Sequence, residues 1–261
     1  MELEADTAGF FDEPDGYYPP SPPPTSQTYT LQSGETITLH LVGHSPLEAH
    51  HLWNGGRIIS KYFETHVSEI RSRTVLELGA GAGLPSIVCS ILGARKTVVT
   101  DFPDPDLVIN MKKNIIGCDL IPASDADLKD PPIVADGYVW GADPAHLIAH
   151  LQPAGTDKFD VLILADLLFR HSEHGRLLDT VEATMSRKEA SKAFVFFTSY
   201  RPWLQHKDLA FFDLARERGF VVDKILEEKM DKAMFENDPG DEDVRKTVTG
   251  FTLRWPEAKC I

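Results

Sequence analysis

From residue 74 onward, short apolar runs alternate with stretches whose apolar residues recur at helical spacing. Val75-Leu76-Glu77-Leu78 predicts a buried strand, Leu84 to Leu92 an apolar helix closed by Gly93, Thr97 to Asp101 a second strand and Leu107 to Ile116 a second helix. Ile133 to Trp140 predicts a third strand. Phe159 to Leu168 predicts a fourth, centred on the run Val161-Leu162-Ile163-Leu164. A helix over Ser172 to Ser186, a strand over Ala193 to Ser199 and a helix over Leu204 to Arg218 continue the alternation. Phe220 to Leu226 and Thr247 to Trp255 close it as two strands with no helix between them, so they are expected to pair antiparallel. Continuous apolar strands separated by helices predict an α/β fold: a mostly parallel sheet covered by helices on both faces, with an antiparallel last strand.

Before residue 74 the pattern differs. Tyr29-Thr30-Leu31, a glycine-containing turn at Gln32 to Glu35, and Thr36 to Leu41 read as a hairpin. Apolar residues at helical spacing then predict a helix over Leu52 to His66. Residues 1–27 are acidic and then proline-rich, as in Pro19-Pro20-Ser21-Pro22-Pro23-Pro24, which favours extended geometry. They read as an arm, and residues 28–261 as one domain that includes the hairpin and its helix.

Charge changes this picture in one respect. The 261 residues carry a formal net charge of −14, which argues against general nucleic-acid binding and suits either a basic partner or solubility alone. No apolar run reaches membrane-spanning length, and the acidic Met1 to Asp6 is unlike a secretory signal, so a cytoplasmic protein is expected. The cysteines Cys89, Cys118 and Cys260 lie far apart, and no histidine and cysteine combine at zinc spacing, so no metal is expected. The acidic segment between the last two strands, Lys229 to Lys246, reads as a solvated loop or as a dock for a basic peptide.

The candidate chemistry lies in the turn after the first strand, Glu77-Leu78-Gly79-Ala80-Gly81-Ala82-Gly83. Glycines between a strand and its helix let a ligand approach the backbone at the carboxyl edge of the sheet. A dinucleotide turn has Gly-x-Gly-x-x-Gly; here the third glycine, Gly83, arrives one residue early. Glu77 places a carboxylate just before the turn, which suits a cationic sulfonium ligand with an amino group better than a diphosphate. Asp101, at the end of the second strand, suits a pair of ribose hydroxyls, which a nicotinamide dinucleotide shares.

This turn resembles motif I of the Rossmann-like, seven-β-strand (class I) methyltransferases. The chain is similar to the fungal protein N-terminal and lysine N-methyltransferases acting on translation elongation factor 1-alpha. The likeness runs from Phe11-Asp12-Glu13-Pro14 to Trp255. It is strongest at His51 to Gly56, the glycine turn with Leu84-Pro85-Ser86, Thr100 to Asp104, Gly137 to Gly141, Asp166 to His174, and Met234-Phe235 to Gly240. The resemblance implies S-adenosyl-L-methionine as cofactor, held by Trp53, Gly79, Ala80, Gly81, Asp101, Trp140 and Ala165, and the N-terminal segment of the elongation factor as substrate; Glu77 and Gly83 join the cofactor-binding set from the turn itself, and a monomer is expected. Related lysine methyltransferases carry Asp-x-x-Tyr after the fourth strand; here it is Asp166-Leu167-Leu168-Phe169, without the hydroxyl. Asp166 is the candidate to orient the amine and His171 or His174 a candidate proton acceptor; the rival reading of His171 to His174 is a helix N-terminus capped by Ser172, favoured for His174 and open for His171. The alternatives are a nicotinamide-type small-molecule N-methyltransferase, an NAD-dependent oxidoreductase, and a silent binding module.

Overall fold

A computed structural model describes residues 22–122, 130–152 and 156–260; the predicted arm lies outside these up to residue 21. Strands β1 (Thr25–Thr30) and β2 (Thr36–Leu41) form the expected hairpin, paired antiparallel from Thr25–Leu41 to Thr30–Thr36. The first strand starts at Thr25, inside the span read as arm. Helix α1 (Asn54–Thr65) follows and buries Ile58, Ile59 and Phe63.

The alternating pattern then builds one seven-stranded sheet. Its elements are β3 (Thr74–Leu78), α2 (Leu84–Ile91), β4 (Lys96–Asp101), α3 (Pro105–Ile116), β5 (Ile133–Gly137), α4 (Ala145–Ala149), β6 (Val161–Ala165), α5 (His174–Thr184), β7 (Lys192–Phe197), α6 (Gln205–Glu217), β8 (Val221–Lys229), α7 (Glu242–Arg245) and β9 (Thr247–Arg254). The sheet order is β5-β4-β3-β6-β7-β9-β8, parallel from β5 through β7. β9 runs antiparallel to both β7 and β8.

Period-two alternation assigns the strand residues to two layers. Leu76, Leu78, Leu162, Leu164, Val195 and Phe197 pack against Leu147, Leu177, Leu178, Phe211 and Phe212 of α4, α5 and α6. Val75, Val161, Ile163, Phe194 and Phe196 face the other way, onto Ile58, Ile59 and Phe63 of α1 and Cys89 of α2. The hairpin joins that second layer, Ile37, Leu39 and Leu41 packing with Leu84, Ile87, Val88 and Met111.

Several boundaries differ from the expectation. β5 ends at Gly137, so Trp140 stands in the loop beyond it rather than in the strand. β6 ends at Ala165 because Asp166 turns into the left-handed region, φ 54°. His171–Glu173 form a 3₁₀ turn ahead of α5, and the Ser172 hydroxyl donates to Glu173 Oε1 at 3.2 Å instead of capping the helix. The short α4 and α7 have too few residues to show a helical period in sequence. Among the described residues, no helix is long and apolar enough to cross a membrane.

Candidate active site

The carboxyl ends of β3, β4 and β6 open into a cavity of about 320 Å³. Trp53, Glu77, Gly79, Ala80, Gly81, Asp101, Trp140, Ala165 and Asp166 all line it. Two of the predicted residues do not. Gly83 stands behind the wall as the N-cap of α2. His171 points its Nε2 at Asp208 Oδ1, 2.7 Å away, while Asp208 Oδ2 accepts from the Ser199 hydroxyl at 2.7 Å. One buried carboxylate of α6 thus ties the loop after β6 to the loop after β7.

The glycine turn is shaped by its neighbours as much as by its φ angles. Gly79 and Gly81 both adopt positive φ, 60° and 56°. A Cβ on Gly79 would lie 2.6 Å from Leu167 Cδ2 and 3.1 Å from Trp140 Cζ2, so only glycine fits beside that indole. The turn is fastened to β4 by Asp101: Oδ2 accepts from Gly81 N at 2.6 Å and Oδ1 from Phe102 N at 2.7 Å. A carboxylate has roughly four acceptor positions, so two remain for a diol. Burial raises the Asp101 pKa, and the two backbone donors work against that rise. Glu77 is buried, with a pKa pushed up to about 8, chiefly by desolvation. Its Oε2 accepts from Ser86 N at 2.9 Å and from the Ser86 hydroxyl, at the first turn of α2.

At the other wall, Phe102 and Val139 are 49% and 41% exposed yet line the cavity together with Trp140. Exposed apolar groups beside a cavity form a platform for a flat ligand. Sequence reasoning missed Phe102 and Val139, although each directly neighbours a predicted residue, Asp101 or Trp140.

Asp166 lines the cavity just past the end of β6. Its Oδ2 accepts from Gly55 N at 2.5 Å and its Oδ1 from Thr198 N at 2.8 Å, joining the first turn of α1 to the end of β7. A Cβ on Gly55 would fall 2.5 Å from Asp166 Oδ2, which explains a glycine there. Desolvation pushes the Asp166 pKa up to about 7. Beside it, Trp53 Nε1 donates to the Glu48 carbonyl at 2.9 Å, and the indole stacks on Phe169 at 6.3 Å and 18°. Tyr200 and Phe235 pack edge-on against Trp53, at 4.9 and 5.7 Å between ring centroids. Neither entered the candidate set from sequence.

A parallel sheet with a glycine turn after its first core strand, acids at Glu77 and Asp101, and an apolar platform define a class I methyltransferase site. The chain belongs to the lysine methyltransferase family, whose profile matches residues 42–218. It is an N-methyltransferase with S-adenosylmethionine as its cofactor, as expected. It is 66% identical to the protein N-terminal and lysine N-methyltransferase efm7 of Neurospora crassa, over 97% of this chain and 90% of that protein. It is 40% identical to the Schizosaccharomyces pombe protein of the same name, over 95% of each chain. Among solved structures, that of Pyrococcus horikoshii TYW2 in complex with MeSAdo has the same fold: the TM-score is 0.51 at 13% identity, over 89% of this chain and 72% of that one.

The residues present fit this cofactor. Asp101 keeps acceptor positions that would suit a ribose diol, Phe102, Val139 and Trp140 form an apolar wall that would suit an adenine, and Glu77 places a carboxylate that would favour a cationic amino group. When bound, the cofactor supplies a methyl group on sulfonium sulfur, ready for in-line transfer to an amine lone pair.

Proposed function

We propose that the acceptor is a protein amine: the N-terminal α-amine and the adjacent lysine of translation elongation factor 1-alpha, methylated by a monomeric enzyme in the cytoplasm. The observation that carries this reading is the size of the cavity beside the form of its acceptor end. Ligand pockets span roughly 300–1,000 Å³, and about 320 Å³ lies at the small end, room for the cofactor and little more. The acceptor nitrogen must then reach in from outside, past Trp53 and Phe169, while the body carrying it stays on the surface. The names of the relatives in Neurospora crassa and Schizosaccharomyces pombe, which describe N-terminal and lysine methylation of protein, support it.

The chemistry fits the same reading. The attacking nitrogen must be neutral. At pH 7 that costs an α-amine on the order of 1 kcal/mol and a lysine about 4 to 5 kcal/mol, so the α-amine is the easier acceptor. Asp166 orients the amine with the lone pairs its two backbone donors leave free, and the rings around Trp53 exclude water. Trp53, Gly79 to Gly81, Asp101, Trp140 and Ala165 hold the cofactor. His171, committed to Asp208, serves to position its loop rather than to move a proton.

Incubation of the pure protein with radiolabelled cofactor and either purified elongation factor or nicotinamide tests the reading. Label is expected on the factor's N-terminal peptide. Label on nicotinamide alone would overturn it in favour of a small-molecule enzyme.

A further inference from the structure

His51, Trp53, Phe169, Tyr200 and Phe235 form one connected group of rings. His51 meets Trp53 at 5.4 Å and Phe235 at 5.2 Å, both edge-on, and Tyr200 meets Phe235 at 5.8 Å. Every one of the five remains partly exposed. Rings that have found one another normally complete their burial in a core; a partly open group at the mouth of a site is a surface kept for a ligand. Three members, His51, Trp53 and Phe169, line the cavity, while Tyr200 and Phe235 pack onto Trp53 from beyond that lining.

Phe235 does not reach this place by chance. Its carbonyl accepts from Arg245 Nη1 at 2.7 Å, and Arg245 is itself buried. Ala233 is buried two residues before it, and Gly240 packs so closely on Pro202 that a Cβ there would lie 3.0 Å away. Met230 N donates to the Lys246 carbonyl at 2.8 Å and closes the segment at its base. Tyr200 is fixed as firmly. Its hydroxyl accepts from Asn54 N at 3.4 Å, its neighbour Arg201 donates to the Phe169 carbonyl at 3.1 Å, and its other neighbour Ser199 is held by Asp208. Both rings therefore set where Trp53 stands relative to Phe169.

We propose that Tyr200 and Phe235 are positioning residues that determine acceptor choice: by fixing Trp53 against Phe169 they present ring faces to a cationic or partly methylated alkyl amine and select it over a flat heteroaromatic acceptor. The inference rests on the reading that the acceptor is a protein amine. Aromatic faces attract ammonium groups, most strongly once these are partly desolvated, and methylammonium groups are held in the same way. The same rings thus retain the amine between successive methyl transfers, since each product is again a cation until it loses its proton. Asp166, buried and bonded to Gly55 N two residues after Trp53, gives that cation a carboxylate partner.

The test uses the full chain and the elongation factor's N-terminal peptide, comparing wild type with Phe235→Ala, Phe235→Leu and Phe235→Tyr. Phe235→Ala is expected to raise the peptide KM roughly three- to thirtyfold, the range that cation–π contacts supply, and to shift the products toward the monomethyl form by mass spectrometry. Phe235→Tyr should restore both, and Phe235→Leu, with bulk but no ring edge to hold Trp53 in place, should not. Calorimetric affinity for S-adenosylhomocysteine, for which Trp53 is one wall among several, is expected to fall by less than about twofold in all three. An unchanged KM, rescue by leucine equal to that by tyrosine, or cofactor affinity falling in step with KM would each overturn the inference while leaving the protein-amine reading standing. A wild-type enzyme that labels no peptide amine would overturn both.

Discussion

Two groups of aromatic rings in this molecule have nearly the same internal geometry and opposite surroundings. Phe63 and Phe194 meet edge-on at 5.1 Å and 87°, and with Phe196 they are fully buried between α1 and the sheet. Trp53 and Tyr200 meet at 4.9 Å and 61°, and their whole group stays half-open above the carboxyl edge. Ring–ring distance therefore does not tell a core from a site. What tells them apart is the company: apolar strand residues around the first group, and Asp166, Glu48 and a ligand cavity around the second. The first removes apolar area from water; the second keeps apolar area available.

The sharpest way to break that distinction is to truncate one ring from each group. Phe194→Ala should cost about 3–5 kcal/mol in chemical denaturation, and Phe235→Ala only about 1 kcal/mol. Equal losses would make the half-open group a second core. On the cofactor side, Asp101→Ala should weaken S-adenosylhomocysteine binding about 100-fold by calorimetry, because charge-assisted hydrogen bonds are lost. Unchanged affinity would remove Asp101 from the site. A smaller effect is expected at His171: His171→Ala should lower stability by about 1–2 kcal/mol through its lost bond to Asp208, and leave the shape of the kcat–pH profile unaltered. Disappearance of an ionisation from that profile would make the histidine a proton carrier after all.

The smallest signal is a fraction of a proton. Glu77 and Asp166 have folded-state pKa values of about 8 and about 7, raised by burial above their ordinary 4.5 and 3.8. The folded protein therefore holds protons that the unfolded chain releases, so these groups weaken stability as pH rises through roughly 4 to 8. A cationic amino group beside Glu77 favours its charged form. Cofactor binding at pH 7 should then release less than one proton, measured by calorimetry in two buffers of different ionisation enthalpy. Glu77→Gln should abolish that release, and its persistence would place the cation elsewhere.

The parts of this protein legible in its sequence are those whose signal is local. The strand–turn–helix at Glu77 to Leu84, the acid at Asp101 and the apolar runs of β3, β6 and β7 carry their meaning within a few residues, so the sheet and the turn at its carboxyl edge could be read directly. Trp53 and Trp140 needed the family likeness, because a tryptophan in isolation has no periodic context. Tyr200 and Phe235 were not legible as neighbours of Trp53: they meet it only because β7 and the segment after β8 end at one edge of the sheet, a long-range fact of topology. One signal was available, since Ala233-Met234-Phe235 is an apolar triplet inside an otherwise charged segment, where a solvated loop has no use for one. His171 is the converse case. A histidine near a site suggests chemistry, and only the structure reveals Asp208 as its partner.

The direction of β9 has a consequence for how such enzymes diversify. Because β9 runs against β7, β8 must end where β9 begins, at the same edge as the glycine turn. Everything between Lys229 and Thr247 is thereby hung at that edge, outside the parallel strands whose ends open into the cavity. That segment is in effect an interchangeable tool head on a fixed handle: it can lengthen, shorten or change its ring without disturbing a single pairing of the parallel strands. Grafting it between relatives tests directly whether acceptor preference travels with it while the parallel strands stay untouched.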